Sequence, residues 1–181
     1  IDDAEPALLI CSDAGSRGGK VIPYKPLVDA ACAEAKSPPK KVLVVSRGLD
    51  PDYARVEGRD EDYAALRVAY EGADVPVEWL ESNEPSYLLY TSGTTGKPKG
   101  VQRDVGGYAV AMALSMRMIY DVGPGQVMFS TSDVGWAVGH SYNVYGPLIV
   151  GATSILYEGL PTTPDPGIWW MICAQYGVRT M

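Results

Sequence analysis

The chain lacks an excess of basic charge. Its 15 Lys and Arg are outnumbered by 22 Asp and Glu, giving a formal net charge of −7. A broad cationic face for nucleic acid or an anionic membrane is therefore excluded, while a local basic site remains possible. Cysteine is scarce. Cys11, Cys32 and Cys173 have no CxxC spacing, and an odd number of thiols fits a reduced, cytoplasmic protein rather than a disulfide framework. The single histidine, His140, and the unpaired cysteines leave no ligand set for a metal site. No apolar run approaches the roughly 18 residues of a membrane span, and no signal-peptide pattern is visible. Internal repeats and low-complexity tracts are also missing.

What is present suits one large soluble domain. The 181 residues, 46% of them hydrophobic, suffice for a core without disulfides or metals. Ile1 at one end and "YGVRTM" at the other read as cut ends of a longer chain, so an upstream segment, including a mitochondrial targeting signal, stays open.

Strand and helix patterns alternate along the chain. Apolar runs at 7–11, 41–46, 86–91, 126–131 and 153–158 predict strands, and "VRTM" the start of another. Helices are predicted over 24–37, stopped by Pro38-Pro39, from an Asp60 cap to Tyr70, and over 105–120, with Val110, Leu114 and Met118 on one stripe. Two more are expected over 140–151 and 166–177, the last with Pro166 near its first turn and Gly177 past its end. Residues 47–62 read as a loop excursion. The expected fold class is α/β, a mostly parallel sheet flanked by helices.

The densest chemistry lies in "YTSGTTGKPKGV", 90–101. Thr91, Ser92, Thr94 and Thr95 offer hydroxyls, while Gly93, Gly96 and Gly100 permit unusual backbone angles and close approach to main-chain N–H groups. Lys97 and Lys99 flank Pro98, which favours an extended path with both ammonium groups on one side. This combination suits a polyphosphate. It is not the GxxxxGK[ST] P-loop, because Gly93 and Gly96 are too close and Pro98 follows Lys97. A second anion site is "SRGGK", where Arg17 and Lys20 flank Gly18-Gly19; a plain basic surface loop is the alternative.

The 90–101 stretch resembles the phosphate-binding signature of the adenylate-forming superfamily, which includes acyl-CoA synthetases, luciferases and peptide-synthetase adenylation domains. "SDVGWAVGHSYNVYGPL" and "YEGLPTTPD" are similar to short-chain acyl-CoA synthetases, and "VQRDVGGYAVA" and "GLPTTPDPGIWWMI" look more like propionate-using than acetate-using members. The likeness covers essentially the whole chain.

The resemblance implies ligation of a small carboxylate to CoA at the expense of ATP, with Mg²⁺, through an acyl-adenylate. It assigns Lys97 and Lys99 to catalysis, and Thr91, Ser92, Gly93, Thr94, Thr95 and Gly96 to the ATP phosphates. Arg17, Gly18, Gly19, Lys20 and Thr162 fall on the CoA site. Trp136 falls at an aromatic gate between acyl pocket and pantetheine tunnel, with Ala137 and Val138 on the pocket wall; without the family, Trp136 reads as core. Acetate-using relatives have Thr at the place of Val138 and Asn at that of Thr162. Val138 has no side-chain donor, which puts its CoA contact in doubt. His140 is read as a structural hydrogen-bonder, since an ionised carboxylate needs no base. Residues 1–181 would be part of the large N-terminal domain. The adenine and ribose motifs and a mobile C-terminal domain would lie beyond Met181, leaving the chain alone inactive. A non-catalytic nucleotide- or phosphate-binding module and a ligase for acetate or another short acid are the alternatives. No nucleic-acid or membrane partner is expected.

Overall fold

The computed structural model describes residues 1–92, 96 and 98–181. The expectations for Gly93, Thr94, Thr95 and Lys97 lie outside the described residues. The chain divides into two compact units, 1–76 with 158–160, and 77–157 with 161–181.

The first unit is built on a parallel sheet. Strand β1 (Leu8–Ser12) leads to a hairpin of β2 (Ala14–Arg17) and β3 (Lys20–Pro23), then helix α1 (Lys25–Glu34), β4 (Lys41–Val45), β5 (Asp60–Asp62) and α2 (Tyr63–Ala69). The sheet order is β1-β4-β5, all parallel. Val42 and Val44 on β4 and Cys32 on α1 form the buried core, with Leu9, Cys11, Val28 and Tyr53 around them. Helix α1 carries Pro26 in its first turn and ends before Pro38-Pro39, short of the expected residue 37.

Two buried charges fix this unit. Asp13 accepts N–H groups from Ala14 (2.7 Å), Arg47 (3.0 Å), Leu49 (3.1 Å) and Asp50 (3.3 Å). Burial pushes its carboxyl up, but these donors outweigh it and hold the group below the usual carboxylate range. Lys25, 1% exposed, places Nζ 2.7 Å from Asp29 and 2.7 Å from Asp60. Arg59 pairs with both aspartates. Asp60 is therefore not the cap of α2: its carboxylate is committed to Lys25 and Arg59, and it belongs to β5. Asp62 caps the helix instead, accepting the Ala65 N–H at 2.9 Å. The expected excursion over 47–62 thus ends in β5, the edge strand beside β4.

The second unit contains β6 (Pro85–Thr91), β7 (Lys99–Asp104), α3 (Gly106–Met118), β8 (Val127–Met128), α4 (Ala137–Gly139), a π-helical segment (His140–Tyr145), α5 (Gly146–Val150), β9 (Thr153–Ser154), α6 (Ile168–Tyr176) and β10 (Val178–Thr180). The order β10-β8-β9 is parallel throughout, and β6-β7 is an antiparallel hairpin. Met116, Val122, Met128 and Val150 form the core. The stripe expected on α3 is not the buried one. Val110, Leu114 and Met118 are exposed, while Tyr108, Met112 and Met116 face inward. The helix is apolar on both faces, so spacing alone did not discriminate. The helix expected over 140–151 starts earlier, at Ala137, and opens into the π-helical segment before closing at Gly151, whose φ of 71° favours glycine. Pro166 precedes the Gly167 cap of α6 rather than lying in its first turn, and Gly177 terminates the helix as expected, with φ 60°. Among the described residues no helix is long and apolar enough to cross a membrane.

Candidate functional site

Of the hydroxyl-, glycine- and lysine-rich stretch, Thr91 ends β6, and Lys99 and Gly100 open β7, its antiparallel partner. Their last rung pairs Thr91 with Lys99. Thr91 Oγ1 lies 3.5 Å from the Lys99 carbonyl. Directly opposed residues share a face. One face carries Tyr87/Arg103, Leu89/Val101 and Thr91/Lys99; the other carries Leu88/Gln102 and Tyr90/Gly100. The Lys99 side chain is thus placed on the same face as Arg103, and both residues are exposed. Gly100 makes room for the Tyr90 ring, since a Cβ there would sit 3.3 Å from it. Gly96 has φ +79°, a conformation that favours glycine whatever the space around it.

The Tyr87 ring anchors this hairpin. It stacks on Tyr145 and meets Tyr108 edge-on at 5.4 Å and His140 at 4.7 Å. Burial raises the Tyr87 phenol well above its ordinary value, reinforced by its hydrogen bond with Tyr108 and opposed by Arg103. The Tyr108 hydroxyl continues the network to Ser141 at 2.8 Å, and Ser141 bonds the Ala137 carbonyl at 2.7 Å.

Ala137 and Val138 open α4 and Trp136 precedes them in an extended conformation. All three are exposed, with the Trp136 residue 62% accessible. In this chain Trp136 is therefore not core. His140 Nδ1 lies 3.2 Å from the Val134 carbonyl, the structural hydrogen bond expected of it.

Arg17 and Lys20 form the last rung of the β2–β3 hairpin, joined by Gly18 and Gly19 with φ of 58° and 78°. Positive φ at both turn positions is the type I′ geometry that suits tight hairpins, so the glycines have a structural reason independent of any ligand. The two cations face each other across one rung on an exposed surface. Like charges directly opposite destabilise a hairpin, an arrangement an anion would relieve. Arg17 to Lys20 belong to the first unit and exposed Thr162 to the second.

Sequence reasoning did not find Tyr87, Tyr108, Tyr145 or Asn143 as site-supporting residues. Asn143, embedded in the otherwise apolar "YNVYGPL", was the available signal: a buried amide needs a partner.

Parallel strands with flanking helices, an antiparallel hairpin that runs through Thr91 and Lys99, and an exposed Trp136 ahead of a short helix describe an α/β fold. The chain belongs to the AMP-binding enzyme family, which it matches over residues 1–181. It is 61% identical to propionate–CoA ligases of Salmonella typhimurium and Escherichia coli across its whole length, covering 29% of each. It is 44% identical over 180 residues to an acetyl-coenzyme A synthetase of Wolinella succinogenes, covering 27% of that protein. The chain thus spans under a third of the length of these relatives.

Proposed function

We propose that this chain is part of the N-terminal domain of an AMP-forming ligase that joins propionate to CoA. The higher identity to propionate–CoA ligases than to the acetyl-coenzyme A synthetase supports the choice of acid. The observation that supports the chemistry is the Thr91–Lys99 rung of the β6–β7 hairpin, which brings a hydroxyl and a lysine of the stretch together.

In the first half-reaction a carboxylate oxygen attacks the α-phosphorus of ATP, and pyrophosphate leaves. The obstacle is an anion approaching a polyanion. Lys97, Lys99 and the hydroxyls of Thr91, Ser92, Thr94 and Thr95 offset that charge at the phosphates, with Gly93 and Gly96 admitting the ligand to the main chain. In the second, the CoA thiolate attacks the acyl carbon and AMP leaves. Arg17 and Lys20, across the Gly18-Gly19 turn, bind the phosphates of CoA. Trp136 gates the acyl pocket, and Ala137 and Val138 line it.

Mg²⁺ would supply charge neutralisation on the triphosphate. Among the described residues no group of three or more His, Cys, Asp or Glu gathers to hold a cation. The described residues thus offer no carboxylate cage for it. The function is tested by ATP–pyrophosphate exchange in the full-length enzyme. Exchange dependent on propionate is expected; exchange indifferent to any short acid would reject the reading.

A further inference from the structure

We propose that His140 and Asn143 are positioning residues that set the aim of Trp136, and through it the fit of the acyl pocket. The inference rests on the reading of Trp136 as the gate.

The segment 132–136 is fastened to the π-helical segment through its carbonyls. Asn143 Nδ2 donates to the Ser132 carbonyl at 2.6 Å. The His140 ring holds the Val134 carbonyl through Nδ1 at 3.2 Å, and its main-chain N–H donates to the Trp136 carbonyl at 2.8 Å. Carbonyls 132, 134 and 136 are thus all taken by two residues three apart. The Trp136 N–H donates in turn to the Asp133 carbonyl at 3.0 Å, so the segment is folded on itself as well as tied down.

Packing leaves this segment no slack. Gly139 lies so close beneath it that a Cβ would fall 1.9 Å from the Asp133 carbonyl oxygen. The His140 ring is braced against Tyr87 at 4.7 Å and Tyr145 at 5.4 Å. Asn143 is 6% exposed and its Oδ1 has no partner among the described residues. Burying an amide with one end unsatisfied opposes folding, so an apolar residue would serve packing better. The bond to Ser132 is what the amide adds. π-helical turns also recur at functional sites, where they re-aim side chains.

The test uses the full-length enzyme carrying this span, with propionate and acetate in competition and both thioesters quantified. His140→Phe keeps a ring against Tyr87 but loses the bond to Val134. His140→Asn loses the ring but keeps a donor near the Nδ1 position. Asn143→Leu keeps volume and loses the bond to Ser132. Trp136→Ala reports on the gate itself. The expected result is that His140→Phe and Asn143→Leu each shift the propionate-to-acetate ratio about threefold or more, within the range one methylene allows. His140→Asn retains the ratio, and the KM for ATP stays unchanged in all three. An unchanged ratio in His140→Phe and Asn143→Leu, with a shift in Trp136→Ala, overturns the positioning roles and leaves the gate standing. A shift in His140→Asn with an unchanged ratio in His140→Phe overturns the role of His140 too, because ring packing would then be the cause. If Trp136→Ala changes no acid parameter, the gate reading falls and the proposal with it. If His140→Phe does not fold, Asn143→Leu decides; failure of both to fold assigns the pair to stability and overturns the proposal.

Discussion

Tyr87 and Tyr145 stack face to face, with 5.3 Å between ring centres and 7° between planes. The contact joins β6, which ends at Thr91, to the π-helical segment that follows Trp136. Tyr87→Ala removes it and should destabilise the protein by about 2–3 kcal/mol, below the roughly 3–5 kcal/mol of a fully buried aromatic because the residue is only half-buried. Tyr87→Phe keeps the rings and should lose under about 1.5 kcal/mol, since only the hydroxyl and its hydrogen bonds are removed. Denaturant unfolding of the two variants separates them. Equal losses would place the stabilisation in the hydroxyl rather than the stack.

The Lys25–Asp60 pair predicts an acid-sensitive first unit. Burial raises the Asp60 carboxyl, but hydrogen bonds from Arg59 and Lys25 outweigh it and bring it to about 2, from an ordinary 3.8. A lowered pKa means the carboxylate contributes its stability above about pH 4 and loses it as pH falls toward 2. That contribution is about 2 kcal/mol. Asp60→Asn should be destabilised at pH 7 and show a flatter decline between pH 4 and 2 than the parent. The same acid limb in both proteins would show that the pair does not control it.

Lys97 and Lys99 are assigned to phosphates that leave as pyrophosphate. Ala substitutions in the full-length enzyme should therefore depress adenylation far more than thioester formation from supplied propionyl-adenylate. A comparable loss in both half-reactions would point to a folding role.

Arg17 and Lys20 face each other across one rung, and their replacement by Ala should raise the apparent KM for CoA. Each charge-assisted contact is worth roughly 1.5–3 kcal/mol when ordered, and less here because both residues are exposed. Adenylation without CoA should be unaffected. Hairpin stability should rise slightly as the like-charge contact is removed, which thermal unfolding would detect.

Much of this architecture was legible as pattern. The apolar runs at 41–46 and "VRTM", the stop before Pro38-Pro39 and the Gly177 terminus each follow from local chemistry, and the structure places strands and helices there. What escaped depends on partners distant in sequence. Lys99–Asp104 carries no apolar alternation, yet it pairs antiparallel along β6. Asp60 looked like a cap until Lys25, thirty-five positions earlier, claimed its carboxylate. Helix α3 offered apolar residues on two faces, and only packing against α5 and the core chose Met112 and Met116. The hydroxyls, glycines and lysines of 90–101 stand out in the sequence, whereas the bonds that fasten segment 132–136 do not, because they run to backbone carbonyls, which carry no sequence identity.

The most direct test of the central claim is acid competition by the full-length enzyme. Equimolar propionate and acetate are supplied with ATP and CoA, and propionyl-CoA, acetyl-CoA, AMP and ADP are quantified. A hydrophobic pocket separates acids one methylene apart by about 1–3 kcal/mol, so propionyl-CoA should exceed acetyl-CoA by roughly tenfold or more. AMP should match total thioester, with no ADP formed. Acetyl-CoA in excess, or thioester accompanied by ADP, would contradict the account.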